Sequence, residues 1–263
     1  MIKYVGHKNI DLKKWDDCIE KSTNLVYPLS WYLNCVAPNW NAFILENNNI
    51  YEAVFPICYQ KKIGISYIYQ PFFTQQLGYF SIQPNQEEFN EFLELIHKKF
   101  KHIITNLAIE NTPFSITINE EIKKENTNCL LAIDKDYTII KSNYNSNRKR
   151  DLKKASKNNL TCFESKDIDL LITIFKEFKG KFINELKSSH YNTIYNIFKE
   201  GEKRNQAKIL FVKNENEEIQ AGGLFVYTTT QIIFLFGCAT SNGRTNGAMT
   251  YFCLLYTSPS PRD

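Results

Sequence analysis

The first candidate for a binding site lies near the end of the chain, in Arg244-Thr-Asn-Gly-Ala-Met249. This stretch follows a β-forming run, Gln231 to Cys238, and its pattern predicts the opening of a helix. A helix start leaves its first amides without intrahelical partners, and the helix dipole adds positive potential there; phosphate oxygens suit both. Arg244 would add a fixed charge, Gly247 would let the backbone come close, and Thr245, Asn246 and Ala248 would supply amides. A second feature is Gln220-Ala-Gly-Gly-Leu224. A strand that loses side chains twice in a row, at Gly222 and Gly223, either bulges or lets a ligand approach closely. A third is Tyr69-Gln-Pro-Phe-Phe-Thr-Gln-Gln-Leu-Gly78, where Gln75 and Gln76 either satisfy loop backbone groups or face a substrate. The fourth is the basic run Tyr144-Asn-Ser-Asn-Arg-Lys-Arg-Asp-Leu-Lys-Lys-Ala155. On a helical wheel Lys149, Arg150, Lys153, Lys154 and Lys157 take one broad arc and Leu152 and Ala155 the opposite side. Such an arc is either a solvated face or a surface for phosphates.

Other chemistries lack their residues. The four histidines (7, 97, 102, 190) and seven cysteines have no ligand spacing, so no metal is expected. No clear carboxylate–histidine pair stands out, and no catalytic residue is assigned. The net charge of +4 is too mild to imply nucleic acid by itself, and DNA is not an expected partner. No apolar run approaches the ~18–20 residues of a membrane span. The start, MIKYVGHKNIDLKKW, lacks the apolar core of a signal peptide. Scattered cysteines without CxxC pairs fit reduced thiols, so the expected compartment is the cytoplasm. Oligomeric state is left open.

Periodicity supplies the elements that must position these residues. Asp11 to Lys21 and Leu29 to Val36 are expected helices, the first capped by Asp11. Trp40 to Leu45, Ile50 to Gln60, Ile65 to Gln70 and Leu77 to Ile82 are expected strands, parted by turn signals. Phe89, Phe92, Leu93, Ile96 and Phe100 make a helix stripe, and strands follow at Ile103 to Ile109 and Asn128 to Ile133. Around Lys135 the pattern restarts. A basic helix, Asn145 to Asn158, leads to a strand at Leu160 to Glu164. Helices follow at Ile168 to Ile183 and Ser189 to Arg204, then strands at Ala207 to Val212, Glu218 to Thr228 and Gln231 to Cys238. The layout argues for α+β, with mostly antiparallel sheets flanked by helices in two domains, 1-135 and 136-252.

The strand–glycine loop–helix arrangement resembles the acyl-donor site of GNAT acyltransferases, whose loop has the form (Gln/Arg)-x-x-Gly-x-(Gly/Ala). Arg244 and Gly247 match; Met249 departs from the pattern. With the basic helix, the Tyr69 to Gly78 loop and the Gly222-Gly223 strand, the chain resembles the FemAB-type and BioF2-like branch, which carries two GNAT-like domains in tandem. The resemblance implies acyl-CoA, or aminoacyl-tRNA, as donor and an amine on a small molecule or cell-envelope precursor as acceptor. The alternatives are a non-catalytic tandem scaffold and a nucleic-acid-contacting protein that uses the basic helix. The closing stretch, CLLYTSPSPRD, back-translates in one frame to a transposase adaptor of short-read library preparation. It is therefore expected that native sequence runs to about Phe252, that the second domain is cut short, and that 253-263 is an adaptor-derived tail with no regular structure from Thr257 to Asp263.

Overall fold

The computed structural model describes residues 1–108, 128, 130–132, 139, 142 and 144–257. The boundary expected near Lys135 lies outside them, as do residues 258–263. The strand expected at Asn128 to Ile133 lies partly outside them, and its described residues form no strand. The chain is α+β with antiparallel sheets, and it divides into two compact units.

The first unit takes the described residues of Met1–Thr117, with Asn192–Gln206 and Tyr227–Ile232. Its elements are β1 (Ile2–Val5), α1 (Leu12–Ser22), α2 (Ser30–Val36), β2 (Asn41–Asn47), β3 (Ile50–Ile57), β4 (Tyr59–Lys62), β5 (Ile65–Ile68), β6 (Phe80–Ser81) and α3 (Gln86–Lys99). The sheet runs β1-β2-β3-β6, while β4 and β5 pair as a separate hairpin. α1 starts where Asp11 accepts from the amides of Lys13 and Lys14, both at 3.1 Å. It buries Trp15, Cys18 and Ile19. The Trp15 ring meets that of Trp40 at 4.5 Å and its indole N–H donates to the Pro28 carbonyl at 2.8 Å. α3 buries Phe89, Phe92 and Ile96 with Phe43, Phe55, Ile57 and Tyr79 of the sheet side. Alternation along β2 and β3 turns Ala42, Ile44 and Val54 to the opposite face.

Two strand expectations are corrected here. Ile50 to Gln60 is not one strand, because the chain leaves β3 at Cys58 to form the β4–β5 hairpin. Within Ile103 to Ile109 the described residues make only isolated parallel bridges, Ile103 to Ile68 and Leu107 to Leu77. The β-forming composition there serves a segment that follows neighbouring backbone without a continuous ladder.

The second unit takes the described residues of Ile118–Tyr191, with Ala207–Val226 and Ile233–Asp263. Its elements are α4 (Ser146–Lys157), β7 (Thr161–Ser165), α5 (Ile168–Phe178), the start of α6 (Ser188–Lys203), β8 (Ala207–Lys213), β9 (Ile219–Tyr227), β10 (Ile232–Ala239), α7 (Ser241–Thr245) and α8 (Ala248–Thr257). The sheet order is β10-β9-β8-β7. On one face α4 and α8 bury Ala155, Leu160, Ala248 and Phe252 with Val212, Ala221 and Phe225. On the other, α5 lays Leu171 against Gly222 and Phe175 against Phe236, whose rings stack at 4.0 Å.

Candidate functional site

β10 ends at Ala239, and Thr240 turns the chain into α7. Its hydroxyl accepts from the Gly243 amide at 3.0 Å, and its own amide donates to the Gln220 carbonyl at 3.0 Å. Gly243 lies directly on that strand: a Cβ there would stand 1.8 Å from the Gln220 carbonyl oxygen. At the far end of α7, the Asn246 amide group donates to Gln220 Oε1 at 3.1 Å. Gln220 is 1% exposed, so one buried residue on β9 ties both ends of the turn to the sheet, the near end through its backbone carbonyl and the far end through its side chain. Its role escaped the sequence reading. Only its polarity at the head of a strand otherwise built for burial could have hinted at it.

Instead of one helix opening at Arg244, two helices stand here, parted at Asn246 and Gly247. The single-helix expectation is thereby corrected. Left-handed Gly247, at φ +77°, breaks the helical path. Arg244 and Thr245 consequently lie in the last turn of α7. The exposed Arg244 guanidinium donates to the Phe178 carbonyl at 2.9 Å, at the C-terminal and hence negative end of α5. Thr245 Oγ1 donates to the Ser241 carbonyl at 3.3 Å. Burial pushes the neighbouring Cys238 thiol up to about 11, with Lys179 and Arg244 acting the other way. Lys179, unremarked in the sequence, is thus a second cation at the end of β10.

Gly247 meets α4. A Cβ on it would lie 2.3 Å from the Asp151 carbonyl oxygen. In the first turn of α8, buried Thr250 accepts from Arg148 Nη1 at 3.0 Å and donates to Asp151 Oδ2 at 3.3 Å. A carboxylate beside the first turn of a helix is favoured by its dipole. Ala248 is fully buried in the same packing. At Gly222 a Cβ would meet Phe211 at 2.5 Å and Leu171 at 3.1 Å; at Gly223 it would meet Phe234 at 2.4 Å and Phe252 at 2.6 Å. The pair makes no bulge, since Gly222 and Gly223 stay in register with Phe211 and Leu210, and it is the chain's own side chains that come close to it.

Gln75 and Gln76 belong to the first unit and the residues just described to the second. Exposed Gln75 accepts from the Tyr27 hydroxyl at 3.3 Å, and Gln76 is half-buried. The loop backbone is closed by Gln70 instead, which donates to the Thr74 carbonyl at 2.8 Å and accepts from Thr105 Oγ1 and the Asn106 amide, both at 3.0 Å. Tyr32 donates its hydroxyl to the Phe73 carbonyl. Burial pushes the Tyr27 hydroxyl up to about 12, so it stays a donor.

Among the described residues no group of three or more His, Cys, Asp or Glu could hold a metal ion, and no helix is long and apolar enough to cross a membrane. No family model and no curated protein matches the chain. Two solved structures share its architecture. FemX superposes with a TM-score of 0.64 at 13% identity, over 97% of this chain and 85% of FemX. A conserved protein of unknown function from Bacteroides thetaiotaomicron superposes with a TM-score of 0.57 at 11% identity, over 99% of this chain and 87% of that one. At these identities the likeness is one of fold, and the fold is that of FemX.

Proposed function

We propose that this protein is an acyltransferase that moves an acyl or aminoacyl group from a phosphate-bearing donor to an amine. The donor is acyl-CoA or aminoacyl-tRNA, and the acceptor is a small molecule or a cell-envelope precursor. The amine nitrogen attacks the donor carbonyl carbon, the tetrahedral oxyanion is held by backbone N–H groups, and collapse expels the thiolate or the ribose oxygen. The amine's proton leaves to the medium or to the leaving group. The observation that carries the reading is the turn after β10, where Arg244 donates to the Phe178 carbonyl, one residue before Lys179, in a chain with the FemX fold. In this reading Thr245, Asn246, Gly247 and Ala248 shape the donor loop, and Gln75 and Gln76 meet the acceptor. The tandem domains 1-135 and 136-252 and a cytoplasmic location belong to the same proposal.

A second reading, a non-catalytic scaffold, draws on a specific observation. Arg244, Asn246 and Gly247 are already engaged by Phe178, Gln220 and Asp151 of the chain itself. Titration of CoA, acetyl-CoA and bulk aminoacyl-tRNA separates the two. The transferase reading expects one donor to bind, and Arg244→Ala to weaken it by about 1.5–3 kcal/mol through loss of a charge-assisted contact. Equal affinity in the variant removes the loop from the mechanism. Absence of binding for every donor favours the scaffold.

A further inference from the structure

α4 carries a one-sided cationic face to which the proposed transfer assigns no role. At 3.6 residues per turn, Lys149, Arg150, Lys153, Lys154 and Lys157 fall on one arc opposite buried Ala155. All but half-buried Lys154 are exposed. Arg148 and Asp151 lie toward the buried side, on Thr250. The arc itself holds no acid. Lys154 reaches Asp151 only at 3.9 Å, and Lys149 donates to the Ser142 carbonyl at 3.0 Å. Among the described residues Arg150, Lys153 and Lys157 have no acidic partner. Lys149, Lys153 and Lys157 follow at i, i+4 and i+8, a row of like charges about 6 Å apart that disfavours its own helix. A ligand of opposite charge relieves that repulsion. Just before α4 the chain also carries an exposed aliphatic residue, linked to the row through Ser142. Ser142, the acceptor of Lys149, donates its hydroxyl to the Ile139 carbonyl at 2.7 Å, and Ile139 is 49% exposed.

We propose that this face docks the protein on a lipid surface bearing anionic phosphate headgroups. A cationic row on an exposed helix face, preceded in the chain by an exposed aliphatic, matches a charged interface with an apolar layer beneath it. The same arc offers no aromatic side chain on which bases could stack, which argues against single-stranded RNA. Because the apolar side of α4 is committed to α8 and the sheet, attachment is electrostatic, reversible and weakened by salt. The proposal stands independently of the transfer reaction.

Vesicle co-sedimentation of the full chain tests it, with phosphatidylcholine alone, an equal mixture with phosphatidylglycerol, and bulk tRNA as a soluble competitor. The expected result is binding to the mixed vesicles only, lost as salt rises from about 0.1 M to about 0.5 M. The triple variant Lys149→Gln, Lys153→Gln, Lys157→Gln should bind about a hundredfold more weakly, at roughly fivefold per cation. Ile139→Ser should weaken the remaining binding further. Circular dichroism on each variant checks that α4 is retained; neutralising the row should, if anything, favour the helix. Binding to neutral vesicles alone, equal binding by the triple variant, or displacement by tRNA at equimolar charge would each overturn the proposal, the last in favour of a nucleic-acid surface.

Discussion

Replacing Gly247 with alanine separates two costs that the structure places at one residue. The first is conformational: φ of +77° costs an L residue about 1–2 kcal/mol. The second is contact, since the new Cβ would stand 2.3 Å from the Asp151 carbonyl oxygen and 3.0 Å from its carbon. Those are backbone atoms of α4, so relief requires α4 and α8 to part, loosening the cluster around Ala155, Ala248 and Phe252. Forced separation of a packed core costs about 1–3 kcal/mol, which makes roughly 2–5 kcal/mol in all. Gly64 is the control, with φ of +78° and nothing within 4 Å of its Cβ position. Gly64→Ala should therefore cost only the conformational part, about 1–2 kcal/mol. The assay is urea unfolding together with hydrogen exchange resolved over α8 and over the β4–β5 hairpin. With a slope of about 2 kcal/mol per molar, the contact part moves the urea midpoint by about 0.5–1.5 M. If Gly247→Ala costs no more than Gly64→Ala, the close crossing of α4 and α8 is refuted.

Thr250→Val should destabilise the second unit by about 1–3 kcal/mol in thermal unfolding, because Arg148 and Asp151 lose the hydroxyl between them. Gly223→Ala should cost about 1–3 kcal/mol by crowding Phe234 and Phe252, with no need for any ligand to reveal the defect. Burial raises the Asp16 carboxyl above its ordinary 3.8, with the Ser30 amide and hydroxyl opposing. The folded state thus binds that proton more readily, so its contribution to stability falls as pH rises from about 3.8 through the raised value; Asp16→Asn should flatten this part of the stability–pH curve. Thiol labelling at mild alkaline pH should leave Cys18 and Cys58 untouched until urea unfolds them, since burial pushes both up to about 12.

The helices were the most legible part of the fold. Asp11 and Asn145 announce their helices because each side chain accepts the amide it must, and the stripe Phe89, Phe92, Ile96 matches the face that α3 buries. The last strands, Ala207 to Cys238, were readable as apolar, β-forming runs between polar breaks. β1 escaped notice because its four residues hold too few apolar positions to mark a period. α7 was hidden because Ser241-Asn-Gly-Arg-Thr245 has poor helix propensity; the buried Gln220 and the Thr240 cap hold it. At the candidate site, residue types were visible but their engagements were not. Nothing in Arg244 or Gly247 says that Phe178 and Asp151, more than sixty and more than ninety residues earlier, already occupy them.

The bond from Arg148 to Thr250 closes a span of 102 residues. A ribosome adding about 5–20 residues per second makes α4 roughly 5–20 s before the helix that covers it. Throughout that interval Ala155 and Leu160 lack the Ala248 and Phe252 side of their cluster, while the cations of α4 are already in water. Synthesis thus presents the nascent second unit as a charged helix with an uncovered apolar underside. A chaperone that recognises such surfaces has its longest opportunity there, and a pause in translation just before α8 would prolong it.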